Sequence, residues 1–134
     1  MNTFKLNVAT PDGKAFSGDA VSITVKTTEG DVQLLSAHAD YLAALGVGVA
    51  KIVLPDGSVK TASVSGGFVS CSGGAVDVVA TTVEFSEDID LDRAKAAKEK
   101  AEKMIAEAKD EKALRLAKAK LARALTRIGA SGKK

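Results

Sequence analysis

The hydrophobic and polar positions of the chain alternate with a period of two up to about residue 86. Phe4, Leu6 and Val8 alternate with polar residues, which is the pattern of a strand with one buried face. Similar segments recur about every ten residues, and no helical segment lies between them. These segments are 21–25, 32–35, 47–54, 59–64, 68–72, 76–80 and 82–85. We therefore predict an all-β unit over residues 1–86, built as an antiparallel β-sandwich or barrel.

Turn signals separate these predicted strands. Pro11-Asp12-Gly13 and Pro55-Asp56-Gly57 combine a proline that presets φ with a glycine that accepts positive φ. Gly66-Gly67 and Gly73-Gly74 are predicted to be hairpin turns. The longest connection runs from residue 36 to residue 45.

Beyond residue 86 the hydrophobic period becomes that of an α-helix, and glycine is absent until Gly129. Hydrophobic residues recur there at spacings of three and four in two segments. The first stripe is Ala94, Ala97, Ala101, Met104, Ile105 and Ala108, and the second is Leu114, Ala117, Leu121, Ala124, Leu125 and Ile128. We predict an antiparallel two-helix hairpin over residues 87–134, with helices at about 90–109 and 111–128.

The ends of these helices carry signals of their own. Asp88 and Asp90 are candidate N-caps of the first helix, because a carboxylate there can accept from free backbone N–H groups. Lys109-Asp110-Glu111 predicts a short connection, and Gly129 is the candidate C-cap of the second helix. The tail 131–134 is predicted to fray.

The two halves differ in charge, although the net charge of the 134 residues is only +2. Residues 1–86 carry a net charge of −3, and residues 87–134 carry +5. The second half could therefore favour an anionic partner. A solvated helix face with mixed charges is the simpler explanation of the same composition.

Several classes of function are disfavoured by composition. No apolar run reaches the roughly 18 residues of a membrane helix, and residues 1–5 do not begin a signal peptide. Cys71 is the only cysteine and His38 the only histidine, which excludes an internal disulfide and a histidine metal cluster. We interpret Cys71 as a buried small residue and His38 as a hydrogen-bonded loop residue. No nucleophile–base pair indicates an enzyme.

Three arginines are predicted to meet at the open end of the hairpin. If the hairpin turns near Asp110, Arg93 lies 17 residues before the turn and Arg127 17 residues after it. Arg123 and Arg127 are four apart and therefore share a helix face. Together they could bind an anion beside a helix N-terminus. Alternatively, they could pair with the acids of 87–92, which the helix dipole favours at that position.

Four segments in this order resemble one family. They are Leu6-Asn7-Val8-Ala9-Thr10-Pro11-Asp12-Gly13, Glu29-Gly30-Asp31-Val32, Leu34-Leu35 with His38-Ala39, and Val64-Ser65-Gly66-Gly67-Phe68-Val69. With the Ala-rich hairpin behind them, they are similar to the epsilon subunit of rotary (F-type) ATP synthases. The resemblance covers the whole chain.

The resemblance implies a non-catalytic stalk subunit of a proton- or sodium-translocating ATP synthase, at the cytoplasmic face of the bacterial plasma membrane. Its partners would be the gamma subunit, the membrane ring (c) subunits and, when the hairpin is extended, the alpha/beta catalytic head. The folded hairpin would permit ATP hydrolysis, and the extended hairpin would inhibit it. The implied ring contacts are Glu29, Gly30, Asp31, His38, Tyr41 and Leu42.

Some members of that family bind ATP through Ile/Leu-Asp-x-x-Arg-Ala, and Ile89-Asp90-Leu91-Asp92-Arg93-Ala94 matches this motif. The resemblance implies that ATP, a regulatory ligand and not a required cofactor, holds the hairpin folded. The implied ATP-binding residues are Glu84, Ile89, Asp90, Arg93, Ala94, Arg123 and Arg127.

The chain departs from the family pattern at two places. The family loop Leu-Pro-x-His-Ala-Pro is Leu35-Ser36-Ala37-His38-Ala39-Asp40 here, without either proline, so a less rigid loop is expected. Lys100 stands where ATP-binding members can carry arginine, and a lysine lacks the bidentate fork.

An alternative interpretation is a stand-alone β-sandwich that binds ligands and uses a basic helical tail for anionic partners. The chain has no Trp, one Tyr and four Phe, so aromatic platforms for sugars are few. The same scarcity, together with interleaved acids, disfavours a nucleic-acid partner.

Overall fold

The computed structural model describes residues 2–131 and contains ten strands followed by two long helices. The strands are β1 (Phe4–Thr10), β2 (Gly13–Ala20), β3 (Ser22–Thr27), β4 (Gly30–Leu35), β5 (Tyr41–Ala44), β6 (Gly48–Val53), β7 (Val59–Ser65), β8 (Phe68–Ser72), β9 (Ala75–Val79) and β10 (Thr82–Phe85). A 3-10 turn (Ser86–Asp88) leads into α1 (Leu91–Glu107) and α2 (Glu111–Ser131). The predicted fold class, a β-sandwich followed by a helical hairpin, is confirmed.

The strands form two five-stranded sheets that pack face to face. The first sheet has the order β2-β1-β9-β8-β5, and the second has the order β10-β7-β6-β3-β4. All pairings are antiparallel except that of β1 with β9, in which Leu6 lies beside Val76. The expectation of purely antiparallel pairing is wrong at this one place. A parallel pair needs a long connection, and here β3, β4, β6 and β7 of the second sheet lie between the two strands in the chain.

Two strands were missing from the sequence prediction, namely β2 and β5. Both lie at edges of the first sheet, where a strand has only one neighbour. The sequence of β2, Gly-Lys-Ala-Phe-Ser-Gly-Asp-Ala, has a single fully buried residue, Ala20. The four residues of β5 pair with β8 inside the segment that was interpreted as one long connection. Edge strands bury little, so their hydrophobic alternation is weak.

Gly66-Gly67 does not form the predicted hairpin turn. It carries the chain from β7 in the second sheet to β8 in the first, and these two strands do not pair. Gly67 has a φ of 91°, and a Cβ there would lie 1.9 Å from the Val79 carbonyl oxygen. Only glycine fits so close an approach of two backbone segments. Gly73-Gly74, in contrast, does join a hairpin, β8–β9.

The core lies between the two sheets. Its fully buried large residues are Leu6, Ile23, Leu34, Val25, Val69, Val76 and Val78. They come from five strands of both sheets, which is the outcome that period-two alternation predicts for a sandwich.

The hairpin packs on the outer face of the second sheet. α2 contacts β6 and β7, and the most extensive contacts of α1 are with α2. Asp90 is the N-cap of α1, because its Oδ1 accepts the Arg93 backbone N–H at 3.1 Å. The other candidate, Asp88, lies in the 3-10 turn. Asp110 caps α2 by accepting the Ala113 N–H at 2.7 Å.

The predicted C-cap at Gly129 is wrong, because α2 continues through it to Ser131. Ala130 is buried, and a Cβ on Gly129 would lie 3.9 Å from Val49 Cγ2 on β6. Packing on the sheet therefore extends the helix beyond the glycine. Ser131, predicted to fray, is helical, and residues 132–134 of the predicted tail lie outside the described residues.

Candidate functional site

A cleft of about 480 Å3 opens between the second sheet and the two helices. α1 contributes Ala97, Lys100, Ala101 and Met104, and α2 contributes Lys120, Arg123, Ala124 and Arg127. Both sets follow the spacing i, i+3, i+4, i+7, which is one face of a helix. The sheet contributes residues from β7 and β10.

The cleft is strongly cationic. Lys100, Lys120, Arg123 and Arg127 line it together with one carboxylate, Glu84, so the formal charge of its lining is +3. Arg127 Nε donates to Glu84 Oε1 at 2.7 Å, and its terminal nitrogen donates to Oε2 at 3.4 Å. Within residues 2–131, no carboxylate lies within 4.0 Å of the other three cations. The cleft is therefore suited to an anion.

The rest of the lining is small and mixed in polarity. Ser63 and Ser65 on β7 and Thr82 on β10 present hydroxyl groups. The alanines of the two helices and Met104 present apolar surface, and because alanine is small they leave the cleft open. A ligand with a flat apolar ring and an anionic chain matches such a surface.

The structure brings together some of the predicted site residues. Glu84, Arg123 and Arg127 all line the cleft, together with Lys100. Arg93, which was expected beside Arg127, is exposed and is not among the cleft-lining residues. It lies four residues before Ala97, and therefore on the same face of α1 one turn closer to the helix start.

The alternative pairing of the arginines with the acids of residues 87–92 is wrong for the part of the chain that is described. Arg127 pairs with Glu84 on β10. Glu87 instead pairs with Lys60 at 3.3 Å, and the Lys60 ammonium also lies 5.2 Å from the centre of the Phe85 ring. These contacts tie the 3-10 turn to β7.

The other motif residues have structural roles. Ile89 and Ala94 are buried, so their side chains contribute packing. The carboxylate of Asp90 caps α1 and is exposed on its other side.

The residues implied to contact the ring lie along one flank of the sandwich and not in one loop. Glu29, Gly30 and Asp31 lie at the start of β4, whereas His38 follows its end. Four further residues of β4, 32–35, lie between the two groups, and this length of strand spans about 13 Å. β5, which carries Tyr41 and Leu42, runs back along this flank toward the start of β4. At the end of β5, the Ala44 carbonyl oxygen accepts a hydrogen bond from the Thr28 N–H at 3.0 Å. Leu42 is 71% exposed.

His38 and Cys71 have the roles that the sequence indicated. His38 Nδ1–H donates to the Ala39 carbonyl oxygen at 2.7 Å, and its ring makes an edge contact with Tyr41. Cys71 is buried on β8. Burial, and to a lesser extent the Asp40 carboxylate, raise the pKa of its thiol, so the group stays protonated at neutral pH.

Sequence reasoning missed Lys120. It lies ten residues after Asp110, as Lys100 lies ten residues before it, so the counting that paired Arg93 with Arg127 would have paired these two lysines. The hydroxyls of β7 carried no sequence signal, because serine on the outer face of a strand is ordinary.

Two family models together match nearly the whole chain. The beta-sandwich domain of the ATP synthase delta/epsilon chain matches residues 3–86, and the long alpha-helix domain of the same chain matches residues 87–132. The chain belongs to the ATP synthase delta/epsilon family. The resemblance found in the sequence is thereby confirmed. Because both halves match one family, the interpretation as a stand-alone ligand-binding module is set aside.

Relatives named ATP synthase epsilon chain are similar over their full length. The epsilon chain of Halalkalibacterium halodurans is 41% identical over 99% of this chain and 100% of its own. That of Ruminococcus albus is 38% identical over 100% of both chains, and that of Bacillus velezensis is 35% identical over 98% and 99%.

Solved structures show the same fold in ATP synthases of other organisms. A chain of the Euglena gracilis mitochondrial ATP synthase, solved with its F1 part and c-ring, matches with a TM-score of 0.85 at 22% identity. The match covers 98% of this chain and 82% of that chain. A chain of the Tetrahymena thermophila mitochondrial ATP synthase, from a structure of its central stalk and c-ring, matches with a TM-score of 0.62 at 16% identity, over 95% of both chains.

Membership of the delta/epsilon family, with full-length relatives named epsilon chain, makes this chain a non-catalytic subunit of the ATP synthase central stalk. Over the described residues, neither helix has the length and apolar character to cross a bilayer.

Proposed function

We propose that this epsilon-family subunit connects the gamma subunit to the membrane ring through its sandwich and inhibits ATP hydrolysis through its hairpin. The hairpin inhibits when it leaves the sandwich and extends toward the alpha/beta head. ATP bound in the cationic cleft holds the hairpin folded, so a fall in ATP releases the inhibitor. The subunit acts at the cytoplasmic face of the bacterial plasma membrane.

One observation carries the regulatory part of this proposal. The cleft is lined at once by the sandwich, by α1 and by α2. A ligand in it binds the folded arrangement and loses its site when the helices leave the sheet. Such a ligand stabilises the folded hairpin by RT ln(1 + [L]/Kd), which is about 2.7 kcal/mol when the free ligand concentration is a hundred times Kd.

The packing of the hairpin is compatible with movement. Among the described residues of the two helices, the most deeply buried side chains are the alanines Ala94, Ala101, Ala117, Ala124 and Ala130. A buried alanine contributes much less than a buried leucine, because the hydrophobic free energy scales with buried apolar area at about 25 cal/mol per Å2. A modest difference in binding free energy can therefore shift the equilibrium between folded and extended hairpins.

The cleft residues and the motif at the start of α1 have separate tasks in this proposal. Arg123 and Lys100 contact phosphate oxygens, while Glu84 and Arg127 face the base and ribose. Asp90 lies close to the start of α1, where its carboxylate accepts from the ligand edge. Arg93 contacts the part of the ligand that extends past Ala97 toward the start of α1. Ile89 and Ala94 support this end of the site by packing.

For coupling, we propose that the β4–β5 flank faces the ring. Glu29, Gly30 and Asp31 contact it at one end of the flank, and His38, Tyr41 and Leu42 contact it toward the other. Leu42 is 71% exposed on this flank, so its apolar side chain is available to a partner.

Titration of the isolated full-length chain with ATP tests the ligand. We expect heat of binding in the calorimeter and NMR shifts at Lys100, Glu84 and Arg123, with dissociation in the millimolar range or tighter. Arg123→Gln should weaken binding about tenfold, because it removes a charge-assisted hydrogen bond. Arg115→Gln is the matched control, since Arg115 is exposed on α2 and does not line the cleft. Equal losses in both variants would remove the cleft as the site.

Reconstitution with an ATP synthase catalytic core that lacks its own epsilon tests inhibition. The full-length chain and a chain ending after Asp88, shown by circular dichroism to keep its strands, are both expected to bind gamma. Only the full-length chain is expected to slow hydrolysis, and ATP is expected to relieve it. Equal inhibition by both chains would show that the hairpin is not the inhibitor.

A further inference from the structure

Two lysines line the cleft from different helices, Lys100 on α1 and Lys120 on α2. Lys100 lies ten residues before Asp110 and Lys120 ten residues after it, so they are level on antiparallel helices, and both line the cleft. Arg123 follows Lys120 by three residues on the same face of α2. The three cations thus form a cluster on the side of the cleft that is closer to the tip of the hairpin.

The positive charge of this cluster is not neutralised within the described residues. The one carboxylate of the cleft, Glu84, is engaged by Arg127, seven residues beyond Lys120 and therefore about 10 Å further along α2. On α2, Lys120, Arg123 and Arg127 are spaced by three and four residues, and like charges at this spacing repel each other. Lys100 adds a fourth positive charge from α1. When no anion is bound, these like charges repel each other between the two helices.

We propose that Lys120 binds the phosphate chain of the nucleotide and that repulsion within the Lys100–Lys120–Arg123 cluster makes the folded hairpin depend on that polyanion. This inference rests on the proposed binding of ATP in the cleft. The cluster lies away from Glu84, so the phosphates point toward the hairpin tip and the base lies near β10. A longer phosphate chain reaches more of the cluster, so the cleft distinguishes a triphosphate from a monophosphate.

Lys120→Gln is expected to have opposite effects on the stability of the folded hairpin and on the binding of ATP. Lys120→Gln should stabilise the ligand-free folded hairpin, because it removes one of the repelling charges. The same substitution should weaken binding of ATP, because it removes a phosphate contact. Substitution of a residue that only packs against its neighbours would not stabilise the ligand-free folded hairpin and at the same time weaken the binding of ATP.

The experiment compares the full-length wild-type chain with Lys120→Gln and with Lys118→Gln. Lys118 is exposed on the same helix, does not line the cleft, and its substitution changes the net charge equally. Calorimetry with ATP, AMP and inorganic tripolyphosphate measures binding. Amide hydrogen exchange of α2 without ligand measures hairpin opening.

Lys120→Gln is expected to weaken binding of ATP and of tripolyphosphate about tenfold and that of AMP less than threefold. It should also slow ligand-free exchange in α2 about twofold, and Lys118→Gln should change none of these values by as much. If the wild type binds ATP and Lys120→Gln binds it equally well, this inference is overturned and the proposed ATP site stands. If tripolyphosphate binds with the expected dependence on Lys120 but ATP does not bind, the proposed nucleotide is wrong and the polyanion cluster stands. Absence of binding by both overturns both.

Discussion

The sandwich and the hairpin bury different kinds of side chain, and this difference separates a scaffold from a moving part. The sandwich fully buries leucine, isoleucine and valine between two sheets. The hairpin fully buries alanine, and its larger residues, such as Met104 and Leu121, are only half-buried. Free energy from apolar burial is therefore concentrated in the sandwich. The hairpin is held by the packing of its buried alanines and by a few polar contacts. The binding free energy of a ligand or a partner can exceed the free energy of these contacts.

The largest expected effect is in the sandwich. Leu6 is completely buried, so Leu6→Ala should lower the free energy of unfolding by about 3 kcal/mol through lost burial and a residual cavity. Leu42→Ala makes the same chemical change at an exposed position and should shift it by less than about 0.5 kcal/mol. Urea unfolding followed by circular dichroism measures both. Equal effects would contradict the placement of the core.

A smaller and local effect on stability is expected at the buried alanines of the hairpin. Ala117→Leu should disrupt the packing of α2 and destabilise the folded hairpin by about 2 kcal/mol, because Ala117 is completely buried away from the cleft and leaves no room for three more carbons. Amide exchange should quicken in α1 and α2 but not in β1, β8 or β9. The exposed Ala96→Leu is the control and should leave exchange unchanged. Faster exchange throughout the sandwich would show that the two parts unfold as one unit.

The ion pair between the hairpin and the sandwich should contribute less. Glu84 and Arg127 are partly buried, with side chains 34% and 28% exposed. We expect a coupling free energy of about 1 kcal/mol from a double-mutant cycle of Glu84→Gln and Arg127→Gln without ligand. The Lys98–Glu102 pair within α1 is more exposed and 3.9 Å long, so its cycle should give less than about 0.5 kcal/mol. A coupling no larger than this control would mean that the pair does not hold α2 to β10.

The smallest effect concerns the loop after β4. Ala37 has a φ of 61°, a conformation that costs a residue with a Cβ but not glycine. Ala37→Gly should raise the free energy of unfolding by about 0.5 kcal/mol, the relief of strain being partly offset by greater freedom of the unfolded chain. Ala39→Gly, without that conformation, should lower it by a similar amount. Thermal unfolding of the two variants measures whether each substitution raises or lowers the free energy of unfolding. A loss of stability in both variants would rule out strain at Ala37.

The sequence predicted the parts of the fold that follow from local patterns. Alternation in segments such as Phe4 to Val8 located the central strands, and the alanine stripes located both helices. The edge strands β2 and β5 were missed because edge positions bury little. The parallel pairing of β1 with β9 depends on contacts that are distant in the chain, and no local pattern encodes it.

The candidate site shows the same limit. Residue spacing placed Arg123 and Arg127 on one face correctly, since helical geometry is regular. It could not show that Arg127 is held by Glu84, because that contact depends on how α2 packs on the second sheet. Nor could it show that Arg93 lies one turn outside the cleft.

Hydrogen exchange of single amides with and without saturating ATP tests the central claim most directly, namely that a ligand in the cleft stabilises the hairpin and not the sandwich. We predict that ATP slows exchange in α1 and α2 and along β10, while amides in β1, β8 and β9 exchange at unchanged rates. Calorimetry on the same sample establishes that ATP is bound. Bound ATP with unchanged exchange in α2, or protection confined to the sandwich, would contradict the account.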